Sequence, residues 1–210
     1  NGLVGLLNVG EQLVIRAPKL KDLSGLYQLR RAKTALLDRL PSLLSDLQGL
    51  NNLEMESVSI QATGLRSISG LTSYGPKVGQ LYIGSNYELE SLGGLEDLVE
   101  VGTLSVRNNV HLKDISGLGS VVNTWLSECC FGGEVNITAN PSLENCSPLR
   151  TLLGWPEFPY SSETSNVAGP LNISSNGHNA SSPNHCLRGY NSGDNDEDGV
   201  GNELDEFPEN

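Results

Sequence analysis

The sequence predicts a mainly β, leucine-rich solenoid of about seven coils of ~23 residues, ended by an irregular, disulfide-containing C-terminal cap. Three observations predict it. A short apolar triplet returns at near-constant spacing. A Gly-Leu element follows most triplets at a fixed offset. The four cysteines all lie in the second half of the chain.

The triplets are Leu13-Val14-Ile15, Leu36-Leu37-Asp38, Val58-Ser59-Ile60, Leu81-Tyr82-Ile83, Leu104-Ser105-Val106, Val135-Asn136-Ile137 and Leu171-Asn172-Ile173. Their starts are 23, 22, 23 and 23 residues apart and then 31 and 36, so the later coils carry insertions. A triplet of period two reads as a short strand, with its outer members facing inward and its middle member facing out. The outward row is then Val14, Leu37, Ser59, Tyr82, Ser105, Asn136 and Asn172. One coil cannot bury its inner leucines, but stacked coils turn them into a continuous ladder. Read as an amphipathic helix, Ala32 to Leu53 would leave the shared 23-residue register unexplained.

The second element reads Ser24-Gly25-Leu26, Gln48-Gly49-Leu50, Ser69-Gly70-Leu71, Gly93-Gly94-Leu95, Ser116-Gly117-Leu118 and the variant Ser147-Pro148-Leu149. The recurrent Gly is expected at a tight or left-handed corner. Asn86, Asn109 and Asn140 each stand five residues after a triplet start, where a buried carboxamide can bond backbone groups at the corner and line up with its neighbours.

From about Gly2 to Leu153 these residues resemble the receptor L-domain family, the leucine-rich, right-handed solenoids of growth-factor receptor ectodomains and many microbial surface proteins. Val78-Gly79-Gln80-Leu81-Tyr82-Ile83 and Val101-Gly102-Thr103-Leu104-Ser105-Val106 are similar to that family's turn into its strand. The second coil departs, with Asp38 at an inward position and Pro41 in the place of Asn. The resemblance implies extracellular recognition or cell adhesion and supplies no catalytic residues.

Cysteines and sequons point to the same compartment. Cys129, Cys130, Cys146 and Cys186 allow three pairings. A bond between adjacent Cys129 and Cys130 is strained, so each is expected to reach Cys146 or Cys186. Four sequons offer glycosylation at Asn136, Asn145, Asn172 and Asn179. The chain begins inside a repeat, without Met or a basic-then-apolar leader, and reads as a mature product or a fragment. No run approaches the ~18 apolar residues of a membrane span.

The chain divides at 1–155 (solenoid), 156–193 (Pro-, Ser-, Asn- and Gly-rich cap with a possible last coil) and 194–210. Trp155, Phe158 and Tyr160 are candidate covers for the last core layer, or an aromatic ligand platform. In the last segment, Asp194, Asp196, Asp198, Asn202 and Asp205 fall at loop positions one, three, five, nine and twelve, with Gly199 at six and the Val200 carbonyl at seven. That spacing turns alternate oxygens toward one calcium ion. With Phe207-Pro208 the segment resembles a thrombospondin type 3 repeat, which implies calcium as the cofactor.

Net charge is -12, with thirteen of the acidic residues after Ile115 facing only Arg150 and Arg188. Such a surface repels phosphate and excludes nucleic acid as the expected partner. His111, His178 and His185 stand in no catalytic motif, and the outward row carries no charge, unlike a polysaccharide-processing β-helix. The expected function is therefore a non-catalytic extracellular recognition or adhesion module, with Val14, Leu37 and Tyr82 as partner contacts. The alternative is a fibre or coat subunit assembled from copies of itself through coil stacking and calcium.

Overall fold

The computed structural model describes residues 5–42, 44, 46–71, 76–124, 133–156, 159 and 161–188. The strands are β1 (Asn8–Ile15), β2 (Arg31–Asp38), β3 (Glu54–Gln61), β4 (Lys77–Gly84), β5 (Glu100–Arg107), β6 (Asn123–Thr124), β7 (Val135–Thr138) and β8 (Leu171–Ser174). They form one parallel sheet in the order β1-β2-β3-β4-β5-β7-β8, with β6 beside β5. The result is a β-solenoid of about 5 turns with few helices.

Pairing follows the triplets. Leu13, Ala35, Val58, Leu81, Leu104, Val135 and Leu171 stand side by side. The second coil corrects the expected register by one residue. Its triplet is Ala35-Leu36-Leu37, so Leu37 is fully buried in the core and Leu36 takes the outward place. Leu36 and Leu37 are equally apolar, so local pattern could not choose between them, and a slip of one residue exchanges the two faces of a strand. Pairing with Val58-Ser59-Ile60 decides it. Asp38 then leaves the inward row, and its carboxylate accepts a hydrogen bond from Arg16 Nε at 2.6 Å.

A left-handed residue turns the coil after β2, β3, β4, β5, β7 and β8: Arg39, Ala62, Ser85, Asn108, Ala139 and Ser175 all have φ between 51° and 58°. All six carry a Cβ, and the conformation costs them about 1 kcal/mol or more. Stacking offsets that cost. The N–H of Ala62, Ser85 and Asn108 donates to the next coil's Gly84, Arg107 and Thr138 carbonyls at 3.0–3.1 Å.

Beside this corner runs an asparagine ladder. Asn86, Asn109 and Asn140 are fully buried. Each Oδ1 accepts from the preceding member: Asn109 Oδ1 from the Asn86 N–H at 3.0 Å, and Asn140 Oδ1 from the Asn109 N–H at 3.0 Å. Each Nδ2 reaches back to a strand carbonyl, as Asn86 to Ile60 at 3.0 Å and Asn109 to Ile83 at 3.1 Å. Thr63 begins the ladder and Asn176 ends it. Buried polar groups are thus satisfied coil by coil.

The Gly-Leu element resolves into two corners. Gly49, Gly70 and Gly94 have φ of 113°, 94° and 109°, the left-handed corner expected. Ser24–Leu26, Ser116–Leu118 and Ser147–Leu149 are instead short 3-10 turns. There Gly117 is needed for contact rather than for φ, because a Cβ on it would run into the Leu92 carbonyl of the preceding coil. A short polar side chain sets up the approach, as the Ser116 N–H donates to Asp114 Oδ1 at 2.8 Å. Burial pushes the Asp114 carboxyl up, but hydrogen bonds from Ser116 and Ser91 outweigh it and hold the group below its ordinary value.

The core is one cluster running from Leu13 to Leu187. A six-residue helix, α1 (Pro183–Arg188), ends it, with Ala180, Cys186 and Leu187 fully buried. Trp155 is not the cover: it is 49% exposed, and the Arg150 guanidinium lies 4.7 Å over its ring. Phe158 and Tyr160 lie outside the described residues. Among the described residues, no helix is long and apolar enough to cross a membrane.

Candidate functional site

The outer sheet face is built by three parallel rows of side chains about 4.8 Å apart from strand to strand. One row is Ser57, Gln80 and Thr103. The middle row is Val14, Leu36, Ser59, Tyr82, Ser105, Asn136 and Asn172. The third runs through Asp38, Gln61, Gly84, Arg107, Thr138 and Ser174. Pairing holds every member at a fixed place.

The face changes character along its length. At its β1 and β2 end it is apolar in the middle row, with Val14 48% exposed. The charges there are matched, Arg16 by Asp38 at 2.6 Å and Arg31 by Glu54 at 3.1 Å. From β3 to β8 these rows hold hydroxyls and carboxamides, with two exceptions beside each other. Gly84 has no side chain, and the Tyr82 ring lies across the space that a Cβ there would fill. Arg107, paired across from Gly84, sets its guanidinium 5.3 Å from the centroid of that ring. Between Tyr82 and Asn136, Ser105 is only 7% exposed. Ser105 Oγ and Arg107 Nε are both buried without a hydrogen-bond partner.

Of the expected contacts, Val14 and Tyr82 stand on this face and Leu37 does not, for the register reason above. Asn136 and Asn172 are direct cross-strand neighbours on it, their Oδ1 atoms accepting from Thr138 and Ser174 hydroxyls at 3.0 and 2.9 Å. Asn145 is exposed at a corner, where its Oδ1 accepts from the Ser147 N–H at 2.9 Å, and Asn179 lies in the 3-10 turn before α1. Sequence reading passed over Arg107. Its signal was a lone cation in a row that is uncharged from Gln61 to Ser174 apart from it, two residues after an outward Ser.

The cysteine expectation is corrected. Cys146 bonds Cys186, with Cα atoms 4.6 Å apart, so neither is left for Cys129 or Cys130. The bond ties the start of the Ser147–Leu149 3-10 turn to α1, and both residues are buried. Cys129 and Cys130 lie outside the described residues, as do the calcium-loop positions Asp194, Asp196, Asp198, Val200, Asn202 and Asp205. Among the described residues no group of three or more His, Cys, Asp and Glu side chains is placed to hold a metal ion. His185 adjoins the bonded Cys186, which removes that sulfur as a metal ligand. No family model, curated protein or solved structure matches this chain.

Proposed function

We propose that the chain is a non-catalytic extracellular recognition or adhesion module that binds through the outer face of its sheet. The observation that carries this is the face itself: rows of mostly exposed or half-exposed side chains held in strand register. A rigid, preorganised surface loses little conformational entropy on binding. The Cys146–Cys186 bond supports an oxidising location. The strand order and asparagine ladder support the finer reading of a right-handed, receptor L-domain-like solenoid of about seven coils. In this reading the thrombospondin type 3-like loop from Asp194 to Asp205 binds calcium, and Asn136, Asn145, Asn172 and Asn179 carry glycans.

The test is adhesion of labelled protein to cells and extracellular matrix. Val14→Asp and Tyr82→Ala on the outer face are compared with His111→Ala on a corner. Loss with either face variant and retention with His111→Ala supports the reading, and equal binding by all three refutes it.

A second reading, a fibre or coat subunit, draws on one feature of the β1 end. A groove of about 560 Å³ opens there, lined by Leu13, Ile15, Leu20, Leu23 and Leu26 with Arg16, Lys19 and Lys21 at its edge. A stacked copy would cover this apolar surface. Sedimentation velocity with calcium and then with chelator decides: large calcium-dependent assemblies favour the fibre, and a monomer in both favours the recognition module.

A further inference from the structure

We infer that the β3 to β8 part of the outer face binds an acidic saccharide, with Arg107 holding its carboxylate or sulfate. This rests on the outer face being the recognition surface and names the ligand that surface takes.

Charge comes first. In a chain of net charge -12, Arg107 is the one charged member of the three outer rows from β3 to β8. It makes no ion pair among the described residues, whereas Arg16, Arg31, Arg66 and Lys77 all do. Its neighbours in register are Gly84 and Thr138, and the rows around it hold Gln61, Gln80, Tyr82 and Asn136. A guanidinium with no internal counter-ion is complementary to an external anion.

The arrangement is built rather than incidental. Tyr82 can lie down only because residue 84 is glycine. The ring then supports the guanidinium by a cation–π contact and fixes where it points. Ser105 Oγ and Arg107 Nε, both buried and unpartnered on this face, supply hydrogen-bonding capacity that the chain itself does not use. Ser105 as a whole is 93% buried, being 7% exposed.

The surrounding chemistry selects a saccharide over an acidic peptide. Protein interfaces are anchored by aromatic and apolar side chains in desolvated pockets. None of the exposed large hydrophobic residues Leu7, Val14, Tyr27, Tyr87 and Trp155 lies in the β3 to β8 rows. Those rows offer donor–acceptor groups in a flat, regular lattice, which suits a hydroxyl-rich chain laid across the strands. One cation among them suits a single carboxylate or sulfate of such a chain.

The experiment uses the full chain from a non-glycosylating host, so that Asn136 and Asn172 are bare. Titration calorimetry compares oligogalacturonate with its methyl ester, and dextran sulfate with dextran. The charged member of at least one pair is expected to bind at least roughly tenfold more tightly, the worth of one charge-assisted contact. The first pair reads carboxylate and the second sulfate. Arg107→Gln should remove that preference. Gly84→Ala, whose Cβ displaces the Tyr82 ring end, should weaken it with the sheet still folded by circular dichroism. Arg16→Gln, whose partner is Asp38, should leave it unchanged. Equal binding of charged and neutral members, no binding of any, or an Arg107→Gln protein that keeps its preference overturns the inference. If any of these occurs while adhesion still falls with Val14→Asp or Tyr82→Ala, the recognition face stands and only its ligand is wrong. If adhesion is indifferent to those variants too, both fall.

Discussion

Replacing Asn109 with alanine tests whether the ladder holds the coils together. The side chain makes four bonds: Oδ1 accepts from Asn86 N–H at 3.0 Å and Asn86 Nδ2 at 3.2 Å, and Nδ2 donates to Ile83 carbonyl at 3.1 Å and Asn140 Oδ1 at 3.2 Å. Two of the four partners keep another bond. Asn86 Nδ2 still reaches the Ile60 carbonyl, and Asn140 Oδ1 still accepts the Asn109 N–H. The Asn86 N–H loses its acceptor and the Ile83 carbonyl loses its side-chain donor, in a place with no access to water. An orphaned buried group costs about 1–3 kcal/mol, and the vacated carboxamide volume adds a smaller cavity term. The sum is about 2–4 kcal/mol. For a chain of this size each kcal/mol moves Tm by about 2–4 °C, so the expected drop is roughly 5–15 °C. Asn176→Ala is the internal control. Its Oδ1 accepts from the Asn140 N–H and Nδ2, and its Nδ2 donates to the Ile137 and Ala180 carbonyls, but at the partly buried end of the ladder, where water can replace them. It should cost about 1 kcal/mol or less. Thermal unfolding by circular dichroism measures both. A drop under about 2 °C for Asn109→Ala, or equal drops for the two variants, refutes the reasoning.

Three further outcomes are expected. Leu37→Ala should cost about 2–5 kcal/mol, as a core truncation does, while Leu36→Ala should cost under about 1 kcal/mol by urea unfolding; the reverse order would restore the other register. Removing the disulfide as Cys146→Ala with Cys186→Ala should cost about 4 kcal/mol by loop closure over the separation of 40 residues, read from the urea midpoint; an unchanged midpoint would show that α1 does not depend on the bond. The depressed Asp114 carboxyl gives a stabilising contribution that is complete above its ordinary value of 3.8 and is lost as pH falls through the lower folded-state value. The stability gap between wild type and Asp114→Asn should therefore narrow below that pH, and a gap that widens there would reverse the assigned direction.

The solenoid was legible because its signal is repeated. Each triplet is weak alone, and only the common spacing separates it from chance. The same repetition failed at Leu36-Leu37, where two leucines fit one pattern and only pairing with Val58 and Ile60 selects one. It under-read the ladder too. Asn176 stands five residues after Leu171, as Asn86 stands after Leu81, and it was hidden by the long insertion before it. The disulfide depended on where α1 returns against the Ser147–Leu149 3-10 turn, a contact between segments 40 residues apart that no spacing rule reaches. The Tyr82, Gly84 and Arg107 group was invisible for a related reason. Its members are ordinary in sequence and become a group only when β4 and β5 lie in register.

The same register separates the ladder from the proposed binding rows within two residues of β5's end. Arg107 points outward over Tyr82, and Asn109 turns inward to the ladder. Insertions do not blur this division. The steps from Leu104 to Val135 and from Val135 to Leu171 take 31 and 36 residues, yet Ser105, Asn136 and Asn172 remain aligned. The lattice of that face is therefore the same across long and short coils. It follows that Arg107→Gln should leave Tm within about 2 °C of wild type, since a half-exposed side chain away from the core is replaced. Asn109→Ala should instead lower Tm and leave saccharide affinity unchanged at temperatures where the variant is folded. If the two variants shared one phenotype, the inner and outer faces would be coupled, and the outer rows could not be treated as a fixed surface.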